Sequence, residues 1–323
     1  MPRAVKALYA ILVTALLAAP APAVTASARD APPTAPADTP AALAAEPVAA
    51  PRISGVRGLE IAVPAYVWAD DPVLTDLAAT RPAPSVVVLN PGNGDSPFDA
   101  PWQARADALR RGTTATGEKT KVLGYVHTDH GNRDIAAVKA SVDNYLRPAD
   151  GDGRLHVDGI FFDVVSRDCG PGNATRDHYL ELRRYVQAVM DAVDPGVPDL
   201  VVDNPGTAIA DCFLEPGRRT ADVFVTYEDT HAAYASGGWL GGNVFDPVGG
   251  YRSGAELDPT GTAFWHLVHA VPDADAMRGT LRTAFSRGAG YAYATSPTMP
   301  NPWNAAPAWP YRAQTAYAAT LGE

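Results

Sequence analysis

Two carboxylic acids stand after apolar segments of strand length. Asp163 follows Ile-Phe-Phe at 160–162, and Glu228 lies shortly after Val-Phe-Val at 223–225. A carboxyl group in such a position is partly removed from water, which raises its pKa and suits it to donate a proton. Two such groups across a cleft can cleave a glycosidic bond, because one protonates the leaving oxygen while the other attacks or activates water. The alternative is that each acid caps the following helix or pairs with an arginine.

Eight apolar segments of strand length recur along the chain, and they must position these acids. Most are continuous blocks, which is typical of strands buried on both faces of a parallel sheet. Apolar stripes with helical spacing lie between them, at 135–145, 179–193 and 277–285. The predicted strands cover residues 59–66, 85–90, 121–127, 157–163, 199–204, 222–228, 262–269 and 290–296.

This alternation predicts the α/β class and a single (β/α)8 barrel of the TIM type. A doubly wound open sheet is the competing fold, but no Gly-x-Gly-x-x-Gly follows the first strand to hold a dinucleotide. In a barrel all strand ends converge on one face, and here nearly every strand is followed by a polar residue. These residues are Tyr66, Asn90, His127 with Asp129, Asp163, Asn204, Glu228, His266 with His269, and Thr295 with Ser296.

Several residues near these ends have the chemistry to bind a sugar. Asn90 and Asn204 each begin an Asn-Pro-Gly turn, where the amide can bind hydroxyl groups, orient a carboxylate or only form the turn. Trp239, between Gly-Gly pairs, is the strongest candidate for stacking on a sugar ring. Other aromatic residues have core packing as the alternative: Tyr66, Trp68, Tyr125, Trp265 and Tyr293. The predicted substrate-binding set is Tyr66, Asn90, Tyr125, His127, Asp129, His130, Asn204, Trp239, His266 and Tyr293.

The histidines do not predict a metal site. His127, Asp129 and His130 are close in sequence, but no His-x-His follows the first strand. His266 and His269 are three apart in a predicted strand and therefore face opposite sides. A Gly-x-Ser-x-Gly elbow for a nucleophilic serine is also absent from the sequence. We expect no metal and no cofactor.

The composition limits the possible partners. The 323 residues carry a formal net charge of −10 and contain no run of Lys or Arg. Binding to nucleic acid or to an anionic membrane surface is not expected, because no basic face is available to neutralise phosphates.

The N-terminal region has the features of an export signal. Arg3 and Lys6 precede a short apolar run, which predicts a secretory signal peptide over 1–28 rather than a membrane anchor. Residues 29–52 are rich in Ala and Pro and predict a flexible linker, followed by one domain over 53–323. We expect a secreted monomer. In oxidising surroundings Cys169 and Cys212 can form a disulfide, with two free thiols as the alternative.

Motifs in order along the domain resemble spherulation-specific family 4, the spherulin 4 family. They include Val-Pro-Ala-Tyr at 63–66, Gly-Tyr-Val-His-Thr at 124–128, Gly-Ile-Phe-Phe-Asp at 159–163, Asn-Pro-Gly-Thr at 204–207, Tyr-Glu at 227–228, Phe-Trp-His-Leu-Val-His at 264–269 and Asn-Pro-Trp at 301–303. The resemblance implies a (β/α)8 glycoside hydrolase similar to endo-α-1,4-N-acetylgalactosaminidases. It also implies a retaining reaction with Asp163 as the nucleophile and Glu228 as the acid/base.

Two positions depart from the family pattern. Val164 stands where a Glu is common, and His130 stands where a Tyr is common. Val164 motivates a second hypothesis, that of a non-catalytic carbohydrate-binding or spore-coat protein on the same barrel. A metal-dependent deacetylase is a third. The loop from 167 to 176 is a candidate lid, if Cys169 is bonded to Cys212.

Overall fold

A computed structural model describes residues 58–148, 152–195, 197, 199–215, 217–237 and 263–321. Eight parallel strands close into a barrel in sequence order, from β1 to β8 and back to β1. The (β/α)8 prediction is therefore confirmed, with all eight strands at the expected places. The strands are β1 (Glu60–Ala65), β2 (Val86–Leu89), β3 (Lys121–His127), β4 (Gly159–Asp163), β5 (Leu200–Asn204), β6 (Val223–Thr230), β7 (Ala263–His269) and β8 (Tyr291–Ala294).

Helices follow most strands, and the three predicted helical stripes lie on helices. Between β5 and β6 the described residues form a short 3-10 helix, Asp211–Leu214, rather than an α-helix. Asp71, Asp134 and Asp273 cap three of the α-helices by accepting backbone N–H hydrogen bonds of the first turn. The α-helices are α1 (Pro72–Ala79), α2 (Ala100–Arg110), α3 (Ile135–Leu146), α4 (Ala174–Val193), α5 (His231–Ser236), α6 (Ala274–Ser286) and α7 (Tyr311–Ala319).

Aromatic side chains fill the barrel interior beneath the carboxyl ends of the strands. The Phe161 ring lies 6.2 Å from the Tyr125 ring and 5.6 Å from the Trp265 ring, measured between centroids. Phe161 and Trp265 are both almost fully buried. Side chains alternate along a strand, so residues two positions apart share a face. His127 and Asp163 therefore point to the barrel interior, as Tyr125 and Phe161 do.

An irregularity in β6 decides the direction of Glu228. The pairing of β6 with β7 shifts between Val225 and Tyr227, so that Val225 aligns with Trp265 but Glu228 aligns with Leu267. Simple alternation from Val225 would turn Glu228 toward the helices, whereas the extra residue at 226 returns it to the barrel interior. The strand continues to Thr230. Our expectation that Glu228 ends its strand was therefore wrong by two residues.

A disulfide joins the loop after β4 to the short helix after β5. The Cα atoms of Cys169 and Cys212 are 6.1 Å apart, and no cysteine is free. This bond connects two loops on the carboxyl side of the barrel.

Some predictions concern residues that the structure does not describe. The signal peptide (1–28), the linker (29–52) and Trp239 all lie outside the described residues. Within the described part of the chain, no helix combines the length and the apolar character needed to span a bilayer.

Candidate active site

The side chain of Asn204 joins the two acids. Its Nδ2 atom donates one hydrogen bond to Asp163 Oδ1 and one to Glu228 Oε2, each 2.7 Å long. Since both oxygens are bound to one nitrogen atom, they lie at most about 5.4 Å apart. Asp163, Asn204 and Glu228 come from the neighbouring strands β4, β5 and β6. The barrel thus brings together the two acids that the sequence predicts as the catalytic pair.

The turn after β5 fixes the orientation of the Asn204 amide. The backbone N–H of Gly206 donates to Asn204 Oδ1 at 2.8 Å, so the amide nitrogen must face the acids. Gly206 has φ +66°, a conformation that glycine adopts without strain. Its carbonyl oxygen also accepts the Glu228 N–H at 3.0 Å. One turn therefore positions both the bridging amide and the backbone of the second acid.

Trp303 is a site residue that was missing from the predicted set. It lies between β8 and α7, and its Nε1 atom donates to Glu228 Oε1 at 3.0 Å. The Trp303 carbonyl accepts the backbone N–H of Tyr66 at 3.0 Å, which ties this loop to the end of β1. The Asn-Pro-Trp motif at 301–303 was a signal that could have identified it. Both oxygens of Glu228 therefore accept a hydrogen bond from a neutral donor.

Asp163 is surrounded by donors. Burial raises the pKa of Asp163, while hydrogen bonds from the Tyr125 hydroxyl, the Val164 backbone N–H and the Asn204 amide lower it, as does nearby His127. The Tyr125 hydroxyl has a raised pKa, caused first by burial and then by the charge of Asp163, and it therefore stays protonated as a donor. Three donors to one carboxyl group favour its ionised form.

Glu228 has the environment of an acid that keeps its proton. Burial and then the negative charge of Asp163 raise the pKa of Glu228 to about 7. Hydrogen bonds from Asn204 and Trp303 lower the pKa of Glu228 but do not outweigh these two effects. Asp163 has more hydrogen-bond donors, so we assign the first ionisation to Asp163 and the retained proton to Glu228.

The residue after Asp163 has an unusual backbone conformation. Val164 has φ +54°, which is unfavourable for a β-branched side chain. Its N–H binds the Asp163 carboxylate, and its carbonyl accepts the His130 N–H at 2.7 Å and the Thr128 hydroxyl at 2.9 Å. Three hydrogen bonds hold the strained turn in place. The backbone at 164 thus contributes to the site although its side chain carries no polar group.

A family model described as spherulation-specific family 4 matches residues 60–315. This chain belongs to that family. The match covers the whole barrel, and it confirms the resemblance seen in the sequence motifs. No curated protein matches the sequence.

Two solved structures are similar to this spherulin 4 domain to different degrees. Sph3 of Aspergillus clavatus, described as a complex with GalNAc, is 23% identical, with a TM-score of 0.58 over 81% of this chain and 98% of Sph3. A Cellulomonas fimi endo-β-1,4-mannanase double mutant is 15% identical, with a TM-score of 0.44 over 81% and 71%. At this identity Sph3 establishes the similarity of the fold, and the mannanase carries no further argument.

Further predicted residues of the spherulin 4 site lie near the pair. Tyr66 packs edge-on against Tyr125, with ring centroids 5.2 Å apart, and both acids contribute to its raised pKa after the larger effect of burial. His127 is aligned with Asp163 across β3 and β4. Asp129 and His130 are exposed in the short helix that follows β3, and the His130 backbone N–H bonds to the carbonyl of Val164, the residue after Asp163.

Three residues of the predicted substrate-binding set have other contacts. His266 is completely buried on the helix side, where its Nδ1 atom bonds to the Tyr234 hydroxyl at 2.7 Å, so its placement in the site was wrong. Tyr293 is 1% exposed and lies beneath Trp303, with ring centroids 6.1 Å apart, so it supports that residue and offers no free face to a sugar. Asn90 Oδ1 accepts the Asn93 N–H at 2.8 Å, as expected for an amide that forms its own turn.

The described residues contain no group of three or more His, Cys, Asp or Glu side chains that could hold a metal ion. His266 and His269 face opposite sides of the barrel wall, as expected. His269 packs edge-on against Trp303, with ring centroids 6.1 Å apart. The groups that the structure brings together at this site are two acids and the neutral donors Asn204 and Trp303.

Proposed function

We propose that this protein is a retaining glycoside hydrolase. The observation that carries the proposal is the shared hydrogen bonding of Asp163 and Glu228 to Asn204 Nδ2, which limits the two oxygens to about 5.4 Å. Retaining glycosidases place their carboxyl groups about 5–5.5 Å apart, whereas inverting enzymes need roughly 6.5–9.5 Å to admit a water molecule. The short separation supports direct attack by one acid on the sugar.

The environments of the two acids support a division of roles. Ionised Asp163 attacks the anomeric carbon and forms a glycosyl ester, while Glu228 transfers its proton to the oxygen of the departing sugar. Glu228 then removes a proton from water, and that water attacks the anomeric carbon and releases Asp163. The raised pKa of Glu228 suits the first half of this cycle, and the three donors to Asp163 suit its role as the leaving carboxylate in the second.

We propose an amino-sugar polysaccharide as the substrate, with α-1,4-linked N-acetylgalactosamine as the first candidate. The sequence motifs resemble a family with this activity, and the Sph3 structure with the same fold was determined with GalNAc. We also propose that the chain acts outside the cell as a monomer and binds neither nucleic acid nor membrane. Peptide mapping of the exported protein would reveal a mature N-terminus after residue 28 if the signal prediction is correct.

The decisive experiment combines a reducing-end assay with NMR of the first product. Incubation with α-1,4-linked N-acetylgalactosamine oligomers should release reducing ends whose initial anomer is α. An initial β-anomer would overturn the retaining mechanism. The Glu228→Gln variant separates the roles: it should lose most activity on oligosaccharides but cleave an aryl glycoside with an acidic leaving group far better, because such a group needs no proton.

A specific observation favours a second function. Val164 replaces a Glu that is common in the family, and its side chain gives no polar group to the site. If cleavage needs a carboxyl group at this position, the protein would bind carbohydrate without cleaving it. Calorimetric binding of the oligomers together with no reducing ends after prolonged incubation would support the binding function and contradict the hydrolase.

A further inference from the structure

A second cleft lies on the same side of the barrel as the acid pair. It has a volume of about 870 Å³ and lies between the loop after β1 and the start of α2. Its lining includes Trp68, Asp70, Asp99, Trp102 and Arg105. Trp68 comes two residues after Tyr66, so the chain path between their Cα atoms is only about 7.6 Å. The loop that lines one side of the cleft thus begins at Tyr66, a residue near the acid pair.

Trp68 is unusual for an aromatic residue in this molecule. Its side chain is 74% exposed, whereas Trp102 in the same cleft is 6% exposed. A large aromatic face left in water beside a polar rim is typical of a binding surface. Trp102 is fixed from below by Phe98, with ring centroids 6.4 Å apart. The cleft therefore has a rigid aromatic floor and one freely accessible indole.

The shape of the cleft is fixed by the protein itself. Arg105 Nε donates to the Ala69 carbonyl at 2.7 Å, and its Nη1 donates to the Thr75 hydroxyl at 3.0 Å. These bonds connect α2 to the loop after β1 and to α1. The Trp68 carbonyl also accepts the Asp71 N–H at 3.0 Å. Because these hydrogen bonds hold the loop in one conformation, binding there would cost little conformational entropy.

The charges of the cleft favour a cation. Asp70 and Asp99 are exposed, and neither forms an ion pair within the described residues. Asp99 precedes α2 but its side chain does not cap the helix, so its carboxylate is free for other partners. The guanidinium of Arg105 already donates to the Ala69 carbonyl in the loop and to the Thr75 hydroxyl in α1. An indole face beside two free carboxylates suits an apolar ring face that carries an ammonium group.

We infer that this cleft binds a second part of the polysaccharide chain, at a hexosamine unit with a free amino group, outside the pair of sugars that is cleaved. The inference rests on the proposed function and extends it. The C–H face of the pyranose would stack on Trp68, and the ammonium group would pair with Asp70 or Asp99. The protein would then prefer long, partly de-N-acetylated chains over short or fully acetylated ones.

The test measures binding by calorimetry in the Asp163→Asn background, which prevents turnover. The probes are an α-1,4-linked galactosamine disaccharide and a long oligomer, each fully N-acetylated or partly de-N-acetylated. Trp68→Ala should raise the Kd of the long de-N-acetylated oligomer about tenfold, as expected for the loss of one stacked ring. The Kd of the disaccharide should not change. Trp68→Phe should recover part of the loss.

The carboxylates are tested with a matched control. Asp70→Asn combined with Asp99→Asn should weaken only the de-N-acetylated oligomer, and the weakening should shrink at high salt. Asp191→Asn removes a similar exposed charge from α4, near the opposite end of the barrel, and should have no effect. Equal losses for disaccharide and oligomer, or unchanged binding in Trp68→Ala, would overturn the inference. If the unsubstituted chain also failed to bind or cleave any of the four probes, the proposed function itself would fall.

Discussion

The inner and outer faces of the barrel wall hold buried acids with very different surroundings. Asp163 faces the interior, where an amide, a hydroxyl and a backbone N–H surround it and a second acid lies nearby. Asp203 precedes Asn204 on β5 and is 0% exposed on the helix side. Its Oδ2 accepts the Thr220 hydroxyl at 2.7 Å, and its Oδ1 has no hydrogen-bond partner among the described residues.

Burial alone therefore does not identify a catalytic acid. Burial raises the pKa of Asp203 to about 7, partly offset by Thr220 and Arg183, and this matches the value of Glu228. Of these three buried acids, only Asp163 and Glu228 share a hydrogen-bond donor. A raised pKa becomes evidence for catalysis when a second acid and a set of oriented donors accompany it.

The largest expected effect separates the two faces directly. Asp163→Asn should lower kcat by about 10⁴-fold or more, because it removes the proposed nucleophile. Asp203→Asn makes the same change one strand away on the outer face and should leave kcat within about threefold. Steady-state kinetics on the same oligomer measures both. If the two variants lost similar activity, the distinction between inner and outer acids would be invalid.

The two Asn-Pro-Gly turns provide the next test. Asn204→Ala should lower kcat by about 10²–10³-fold, as expected when an oriented donor next to the reacting groups is lost. It should also raise the pKa of both acids, because the amide stabilises their ionised forms, and thus move the acid limb of the kcat/KM profile to higher pH. Asn90→Ala is the control. It should lower stability by about 1 kcal/mol through its turn and leave the pH profile unchanged.

The third test concerns the basic limb of the pH profile. The proposed mechanism requires ionised Asp163 and protonated Glu228, so kcat/KM should fall as the pH rises through about 7, where Glu228 loses its proton. The Trp303 indole lowers the pKa of Glu228 by donating to its ionised form. Trp303→Phe should therefore shift the basic limb upward by about one pH unit. A shift in the opposite direction would contradict the acid role of Glu228.

The last prediction concerns the free energy of unfolding rather than activity, and it tests Asp203 on the outer face. The pKa of Asp203 is raised in the folded state, so its neutral form is favoured there and the native protein gains stability below about pH 4. That stability is lost as the pH rises from about 4 to about 7. Asp203→Asn removes the titrating group, so the variant should gain on the order of 4 kcal/mol relative to the unsubstituted protein between pH 4 and pH 8. Urea unfolding at both pH values measures this, and an equal difference at both would contradict it.

Local patterns in the sequence predicted much of this molecule. Continuous apolar blocks identified all eight strands, because strands buried on both faces need apolar side chains on both. The carboxyl-terminal position of Asp163 and the neighbouring Asn204 followed from the strand ends. His266 was wrongly placed in the site, because a position near the end of a strand does not determine which face of the barrel wall the side chain takes. Side chains alternate along β7, so His266 points to the helices and His269, three residues later, to the interior.

The amino-acid sequence by itself determined the barrel and its family, and it predicted which two acids form the pair. The tertiary structure decided how those acids meet. The extra residue at 226 reverses the alternation in β6 and turns Glu228 inward, an effect that depends on pairing with β7. Trp303 reaches Glu228 across 75 residues of chain, and Asn204 joins acids from strands on either side of it. Such contacts depend on register and closure, which arise only when all eight strands pair.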